Sequence, residues 1–393
     1  MYPPSGPQGP SPDIPDLPPQ APDDRYDEFV PPPLPPPHGR LWVQLGLLAL
    51  TLITTTIVGE SHYLSYTITF EQFAEMVKSG NRTQLRQLAE SVTIVDGLWY
   101  SLTILAILGC HELGHYIACL RYNIVATRPF FLPLPPIGDV SLTGTLGAFI
   151  RVKSRFPNRI ALFDVGIAGP IAGFIVAVPA LFVGVAMSRI DRIPPDMPFG
   201  LTLGEPLLFR LAEWAVWGNI AAGHDINLHP IAFAAWFGLL ATALNLFPIA
   251  QLDGGHIAYA VFGRRSSRIT YVAVATAIAL AVFSLSWIVW TVLMLVMLYV
   301  VGADHPPTLD DDVALGRGRR ALAVVAAVIW LLSFTPAPIA PYEPPASEHR
   351  ERVDVDRDPL RQPGMPRHCE LQSFPHRLSA DSFQEKLRAV FAS

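Results

Sequence analysis

Cysteine is nearly absent. Cys110, Cys119 and Cys369 are the only three in 393 residues, and no two of them stand in a CxxC spacing. So small and scattered a set excludes a disulfide framework and a cysteine zinc site. Cys110 and Cys119 fall in an apolar run, where a free thiol behaves as a small hydrophobe. Charge is also sparse, at 16% of residues against 51% hydrophobic, which excludes an ordinary soluble domain and points to a membrane. With a net charge of -5 and no long basic stretch, nucleic acid is not an expected partner. Residues 1–40 lack the positive start and apolar core of a cleavable signal peptide. Rich in Pro and Asp, they read as a solvated, disordered or polyproline-like tail.

What the chain does have is a succession of apolar runs. Residues 41–58, 98–120, 160–187 and 231–247 are each long enough for a bilayer span. Residues 269–301 are too long for one, and Ser284, Leu285 and Ser286 near the middle suggest a tight hairpin of two short helices. Residues 321–334 form a last, shorter run, and the polar segment 59–96 carries helical spacing around 70–88, outside the membrane. Positive charge checks the count. Arg121, Arg128, Arg151, Lys153, Arg155 and Arg159 form one cluster, Arg264, Arg265 and Arg268 a second, and Arg317, Arg319 and Arg320 a third. With the hairpin split, all three fall on one side, as the positive-inside rule expects, and the N-terminus is cytoplasmic. Residues 130–152 alternate loosely between apolar and small polar types and read as short strands or a hairpin. Such backbone enters a membrane only beside protein or a wet cavity. The expected fold is therefore an all-α polytopic membrane protein of six to seven transmembrane helices, with a short membrane-associated β-hairpin. A core at 41–335 is expected between the N-terminal tail, 1–40, and a polar, mobile C-terminal tail, 336–393.

The chemistry is concentrated in the second run. His111 and His115 stand four residues apart in an HELGH sequence, so on a helix both imidazoles face one way. Glu112 lies about 100° round the helix from His111 and nearer in angle to His115, where it can reach a metal-bound water without ligating the ion. An acidic residue inside an apolar span costs roughly 2.5 to 3.5 kcal/mol on insertion scales, so a role that offsets the cost is expected. The bland reading is a buried His-Glu pair that cross-links helices. Zinc hydrolases need a third protein ligand and one open position. Asp253 is the candidate, in the run NLFPIAQLDGG at 245–255, where Pro248 interrupts the helix and the glycine pair permits close backbone approach. A helix boundary or turn is the bland alternative for Asp253. His256, just past the glycines, competes as ligand.

HELGH in one span and NLFPIAQLDGG at the end of a later one resemble the two signature motifs of the site-2 protease family, over about residues 41–334. The resemblance implies an intramembrane zinc metalloprotease with one Zn2+ per chain, held by His111, His115 and Asp253. It implies Glu112 as catalytic base, and Asn245 as a contact for the substrate backbone or the developing oxyanion. The family's Asn-Pro-x-Pro start is here Asn-Leu-Phe-Pro, which weakens the match at Asn245. The run GIAGPIAG at 166–173 is similar to the family's glycine-rich helix, and small-residue helix packing is taken as its main role. Asp304, His305, Pro306 and Pro307, with Asp310, Asp311 and Asp312, resemble a segment of some members without suggesting a mechanism. Residues 188–230 are too few for the PDZ domain some members insert, and the C-terminal tail is too short for a CBS pair.

The partners implied are the lipid bilayer and single-span membrane proteins such as anti-sigma factors or tethered regulators. The implied location is a multi-pass cell-membrane protein, in a bacterial inner membrane in preference to a plastid one. The competing readings are a metal-binding membrane transporter and a non-catalytic relative that binds membrane proteins.

Overall fold

The computed structural model describes residues 41–341, apart from 81, 136–142, 195–200, 250, 284–285 and 303–304. The expected N-terminal tail and all of the C-terminal one beyond 341 lie outside the described residues. The chain opens with α1 (Leu41–Thr67), α2 (Phe70–Ser79), α3 (Arg82–Ser91) and α4 (Ile94–Arg121), then β1 (Phe130–Pro133) and β2 (Thr145–Phe149). It continues through α5 (Arg159–Met187), β3 (Arg189–Arg192), β4 (Leu201–Leu203), α6 (Leu207–Trp217), β5 (His224–Asn227) and α7 (Pro230–Asn245). It closes with α8 (Asp253–Phe262), α9 (Ser266–Phe283), α10 (Ser286–Val301), α11 (Arg317–Ser333) and β6 (Ile339–Pro341).

The helix starts are written locally. Asp96 accepts the backbone N–H of Thr93 at 2.9 Å before α4, and the Asn158 side chain accepts that of Ala161 at 2.9 Å before α5. Pro230 opens α7, where its missing N–H leaves no bond unmade.

The fold is largely helical. Three described helices, α1, α4 and α5, are long and apolar enough to cross a membrane, against the six to seven spans expected. Length explains much of the difference. α7, α10 and α11 have 16, 16 and 17 residues, about 24–26 Å at the usual rise, short of the roughly 30 Å hydrocarbon core. α7 is instead enclosed by other helices: Ala232, Ala235, Trp236, Leu239 and Ala243 are all buried. A helix that is apolar all round belongs inside a bundle.

Two sets of contacts define the ends of the bundle. At one, the Tyr66 hydroxyl at the end of α1 donates to the carbonyl of Met187 at the end of α5, at 2.9 Å. Asn227, just before α7, donates to the carbonyl of Ile68 at 2.9 Å. At the other, Arg319 of α11 grips Asp164 of α5 with two bonds of 2.8 Å, and Asp164 also accepts from the Tyr122 hydroxyl at the end of α4. Arg159 reaches the carbonyl of Tyr259 near the end of α8 at 3.4 Å. The three basic clusters thus lie at one end.

β1 and β2 pair antiparallel, Phe130 opposite Phe149. The connection 136–142, which includes Val140 and Leu142, lies outside the described residues, so a closed hairpin is not described. The segment runs along α1 into the bundle. Gln44 donates to the carbonyl of Arg128 at 3.1 Å, and Thr54, nearly three turns on, to that of Gly144 at 2.7 Å. Tyr100 of α4 donates to the carbonyl of Thr143 at 3.0 Å. Non-helical backbone at that depth must find partners in protein, which accounts for the buried Thr54 of α1. Gly144 has φ 68°, and a Cβ there would meet backbone of Thr54 and Thr55 at 2.7 Å. β3 pairs with β5, and β4 with β6, so residues 339–341 of the expected C-terminal tail lie against the segment before α6.

Candidate metal centre

The helical register of α4 puts His111 and His115 one turn apart on the face that meets α5. Both are buried, and two glycines of α5 make the room. A Cβ at Gly169 would lie 2.1 Å from Nε2 of His115, and one at Gly173 would lie 3.1 Å from Cβ of His111. A Cβ at Gly114 would lie 2.5 Å from the carbonyl oxygen of Ala168. The run at 166–173 is therefore more than general helix packing. Its missing side chains are the space the imidazoles occupy, a role that spacing within α5 alone does not reveal.

Asp253 arrives from the other direction. α7 ends at Asn245, and the chain turns through Leu246, Phe247, Pro248 and Ile249, with Phe247 and Ile249 buried against α9 and α10. The turn folds back so tightly that a Cβ at Gly254 would lie 2.1 Å from the carbonyl oxygen of Leu246. Only glycine is small enough there, which gives the LDG sequence its shape. α8 then begins at Asp253 itself.

Four polar side chains converge. Oδ2 of Asp253 is 3.1 Å from Nε2 of His111, and Oδ1 is 3.2 Å from Nε2 of His115. The two Nε2 atoms are 3.1 Å apart. The amide nitrogen of Asn245 lies 3.3 Å from Nε2 of His111. His115 Nδ1 is 2.7 Å from the carbonyl oxygen of Val165. That oxygen can only accept, so Nδ1 carries the proton and the neutral ring turns the lone pair of Nε2 toward His111 and Asp253. A carboxylate and an imidazole lone pair facing each other in a buried site repel unless a proton or a metal cation lies between them. The spacing suits one: bonds of about 2.0–2.1 Å in a tetrahedron set ligand atoms about 3.3 Å apart. His111, His115 and Asp253 thus form a cluster capable of coordinating a metal ion.

Glu112 is buried beside the cluster, and the backbone N–H of Ile150, just beyond β2, lies near its carboxylate. That contact brings the β1–β2 segment to the site. His256, weighed as a third ligand, turns elsewhere, with its Nδ1 2.7 Å from Nε2 of His305. The Val165 carbonyl and the Ile150 N–H were beyond sequence reasoning, since backbone groups carry no residue signal.

The family model described as peptidase family M50 matches residues 99–289. The chain is 31% identical over 241 residues to "Probable zinc metalloprotease EGY1, chloroplastic" of Arabidopsis thaliana, covering 59% of this chain and 42% of the relative. It is 32% identical over 257 residues to "Probable zinc metalloprotease EGY2, chloroplastic" of Oryza sativa subsp. japonica, covering 63% and 44%. It is 27% identical over 245 residues to "Probable zinc metallopeptidase EGY3, chloroplastic" of Arabidopsis thaliana, covering 59% and 41%. The chain spans less than half the length of these curated relatives. Their names correct one expectation: each is chloroplastic, which favours a plastid membrane over the bacterial inner membrane. The matched stretch contains His111, His115 and Asp253, so the three residues of the cluster all fall within the part of the chain that is similar to peptidase family M50.

Proposed function

We propose that this chain is an intramembrane zinc metalloprotease of the site-2 protease type, which cleaves peptide bonds in or near the transmembrane segments of membrane-anchored substrates. The observation that carries the reading is the mutual approach of His111, His115 and Asp253 to 3.1–3.2 Å, with the imidazole lone pair of His115 turned inward. These three residues hold one Zn2+. When bound, the ion supplies a Lewis acid that polarises a carbonyl and lowers the pKa of water to about 7. Glu112 takes the proton from the attacking water and returns it to the leaving amine nitrogen. Asn245, whose amide nitrogen sits 3.3 Å from His111, offers a donor to the carbonyl oxygen as it gains charge.

A helical substrate hides its carbonyls and must unwind to be cut. Among the described residues β2 pairs only with β1, leaving its other edge for an extended segment to join. The closeness of the Ile150 N–H to the Glu112 carboxylate supports a substrate strand lying beside the base.

The core comprises residues 41–335, crossing a plastid membrane six to seven times. α1, α4 and α5 make full crossings, α9, α10 and α11 bring the count to six, with α9 and α10 as a hairpin, and the enclosed α7 is the seventh only if it reaches both faces.

The deciding experiment compares wild type with Glu112→Gln in zinc content and in cleavage of a single-span substrate. Retained zinc with cleavage reduced about 10²–10⁴-fold is expected. Equal cleavage by the two proteins rules out Glu112 as the base, and zinc without cleavage by either leaves a metal-binding transporter or a non-catalytic relative.

A further inference from the structure

The segment that the sequence resemblance singled out without a mechanism, around His305, lies against α8 and the start of α5. Leu309 donates its N–H to the carbonyl of Phe156 at 3.0 Å, and Asp310 to that of Pro157 at 3.0 Å. These bonds fix residues 309–310 to the chain entering α5, next to its capping residue Asn158. From the same segment two side chains reach α8. Asp311 accepts from the Tyr259 hydroxyl at 2.7 Å and from the Thr308 hydroxyl at 2.6 Å. The His305 ring stacks on Tyr259, centroids 4.6 Å apart, and its Nε2 meets Nδ1 of His256 at 2.7 Å. Residues 305–311 therefore form a strap across α8.

The protons on the two rings follow from one carbonyl. His305 Nδ1 lies 2.7 Å from the oxygen of Pro306, which can only accept, so Nδ1 carries the proton and Nε2 of the neutral ring is an acceptor. His256 Nδ1–H must then donate to it. At 2.7 Å the pair is a satisfied hydrogen bond, and the distance is too short for two ligands of one ion, which stand about 3.3 Å apart.

His256 is one helical turn beyond Asp253. Both lie over Gly166 of α5, where a Cβ would come within 2.9 Å of the His256 Cβ and 3.4 Å of the Asp253 carbonyl oxygen. Gly166 adjoins Val165, whose carbonyl orients His115. The strap thus ties together the two helices that set the metal cluster: α8, which presents Asp253, and α5, which orients His115. A ligand must be held within about 0.5 Å and 10–20° of its working geometry. Apolar packing of Ile257 and Ala260 on α5 is non-directional, whereas the bonds of the strap to His256 and Tyr259 are directional and fix the rotation of α8.

We propose that His305 and His256 are positioning residues: the strap fixes the rotation of α8 and thereby holds Asp253 at the metal. This rests on the reading of His111, His115 and Asp253 as a metal centre.

The test uses the full chain in detergent, loaded with zinc or with cobalt as a spectroscopic substitute. His305→Ala is expected to weaken zinc binding about 10–100-fold by chelator competition, and to alter the visible absorption of bound cobalt. His305→Gln, which keeps an acceptor toward His256 and a donor toward Pro306, is expected to restore both readouts to near wild type. Zinc affinity and cobalt spectrum unchanged in His305→Ala overturn the proposal, as does a fall in melting temperature alone. If His305→Ala does not accumulate, Tyr259→Phe, which releases Asp311 while keeping the stacked ring, is read in the same way. Wild-type affinity and spectrum in that variant also overturn it. A wild-type protein that takes up neither ion overturns the metal-centre reading itself, so the two failures are told apart.

Discussion

Two histidine pairs meet at the first turn of α8, and they differ in what their nitrogens point at. His111 and His115 turn Nε2 toward Nε2 at 3.1 Å, with a carboxylate at similar range from both. His256 and His305 meet donor to acceptor at 2.7 Å. In each pair one ring is set by a backbone carbonyl, Val165 for His115 and Pro306 for His305. The carbonyl decides which nitrogen keeps its lone pair. In the first pair the lone pair faces a carboxylate and calls for a cation. In the second it faces an N–H and calls for nothing. A histidine pair is thus a ligand set or a clamp according to the orientation its carbonyl imposes, and burial alone does not distinguish them.

The comparison breaks most directly at Gly169. An alanine in a helix normally stabilises it by about 1 kcal/mol over glycine. Here the added Cβ would fall 2.1 Å from Nε2 of His115. The Gly169→Ala protein is expected to purify with essentially no zinc, measured as metal per chain. Stoichiometric zinc in that variant would mean that the His115 ring does not depend on the space left by α5.

Asp253→Asn keeps the shape of the side chain and removes the charge that faces both imidazoles. Zinc affinity is expected to fall by more than the roughly 10–100-fold typical of residues one layer out from a metal. A smaller loss would make the carboxylate a peripheral group, and its ranking against His305→Ala sharpens the contrast between ligand and clamp.

Removing the metal should separate the pairs most gently. Chelation is expected to lower the melting temperature, by the equivalent of about 2.7 kcal/mol when zinc had been present at a hundred times its dissociation constant. The Nδ1–H of His256 should keep its proton resonance, because its partner is His305 rather than the ion. Loss of that resonance on chelation would merge the two pairs into one site.

Much of the centre was legible in advance. HELGH fixed both histidines and the adjacent glutamate on one helix, because four residues make about one turn wherever a helix forms. The apolar runs placed that helix in a membrane setting, and Pro248 with the glycine pair marked a break where a distant residue could approach. The count of full-length crossings was less legible. The apolar run at 231–247 resembles a span in composition, whereas α7 is a 16-residue helix covered by its neighbours. Composition reports what a segment tolerates around it, and both lipid and apolar protein qualify.

What the sequence determined by itself was therefore local: the donors at fixed helical spacing, the family motifs, and the glycines that allow close approach. The motif at 245–255 favours Asp253 over His256, but only tertiary structure brings Asp253 to the imidazoles, across 142 residues of chain from His111. The two candidates are one turn apart on the same helix, so helical spacing by itself does not rank them. The choice follows from the depth at which α8 docks on Gly166 and from the strap that claims His256, and both are long-range contacts that depend on the packing of the whole bundle.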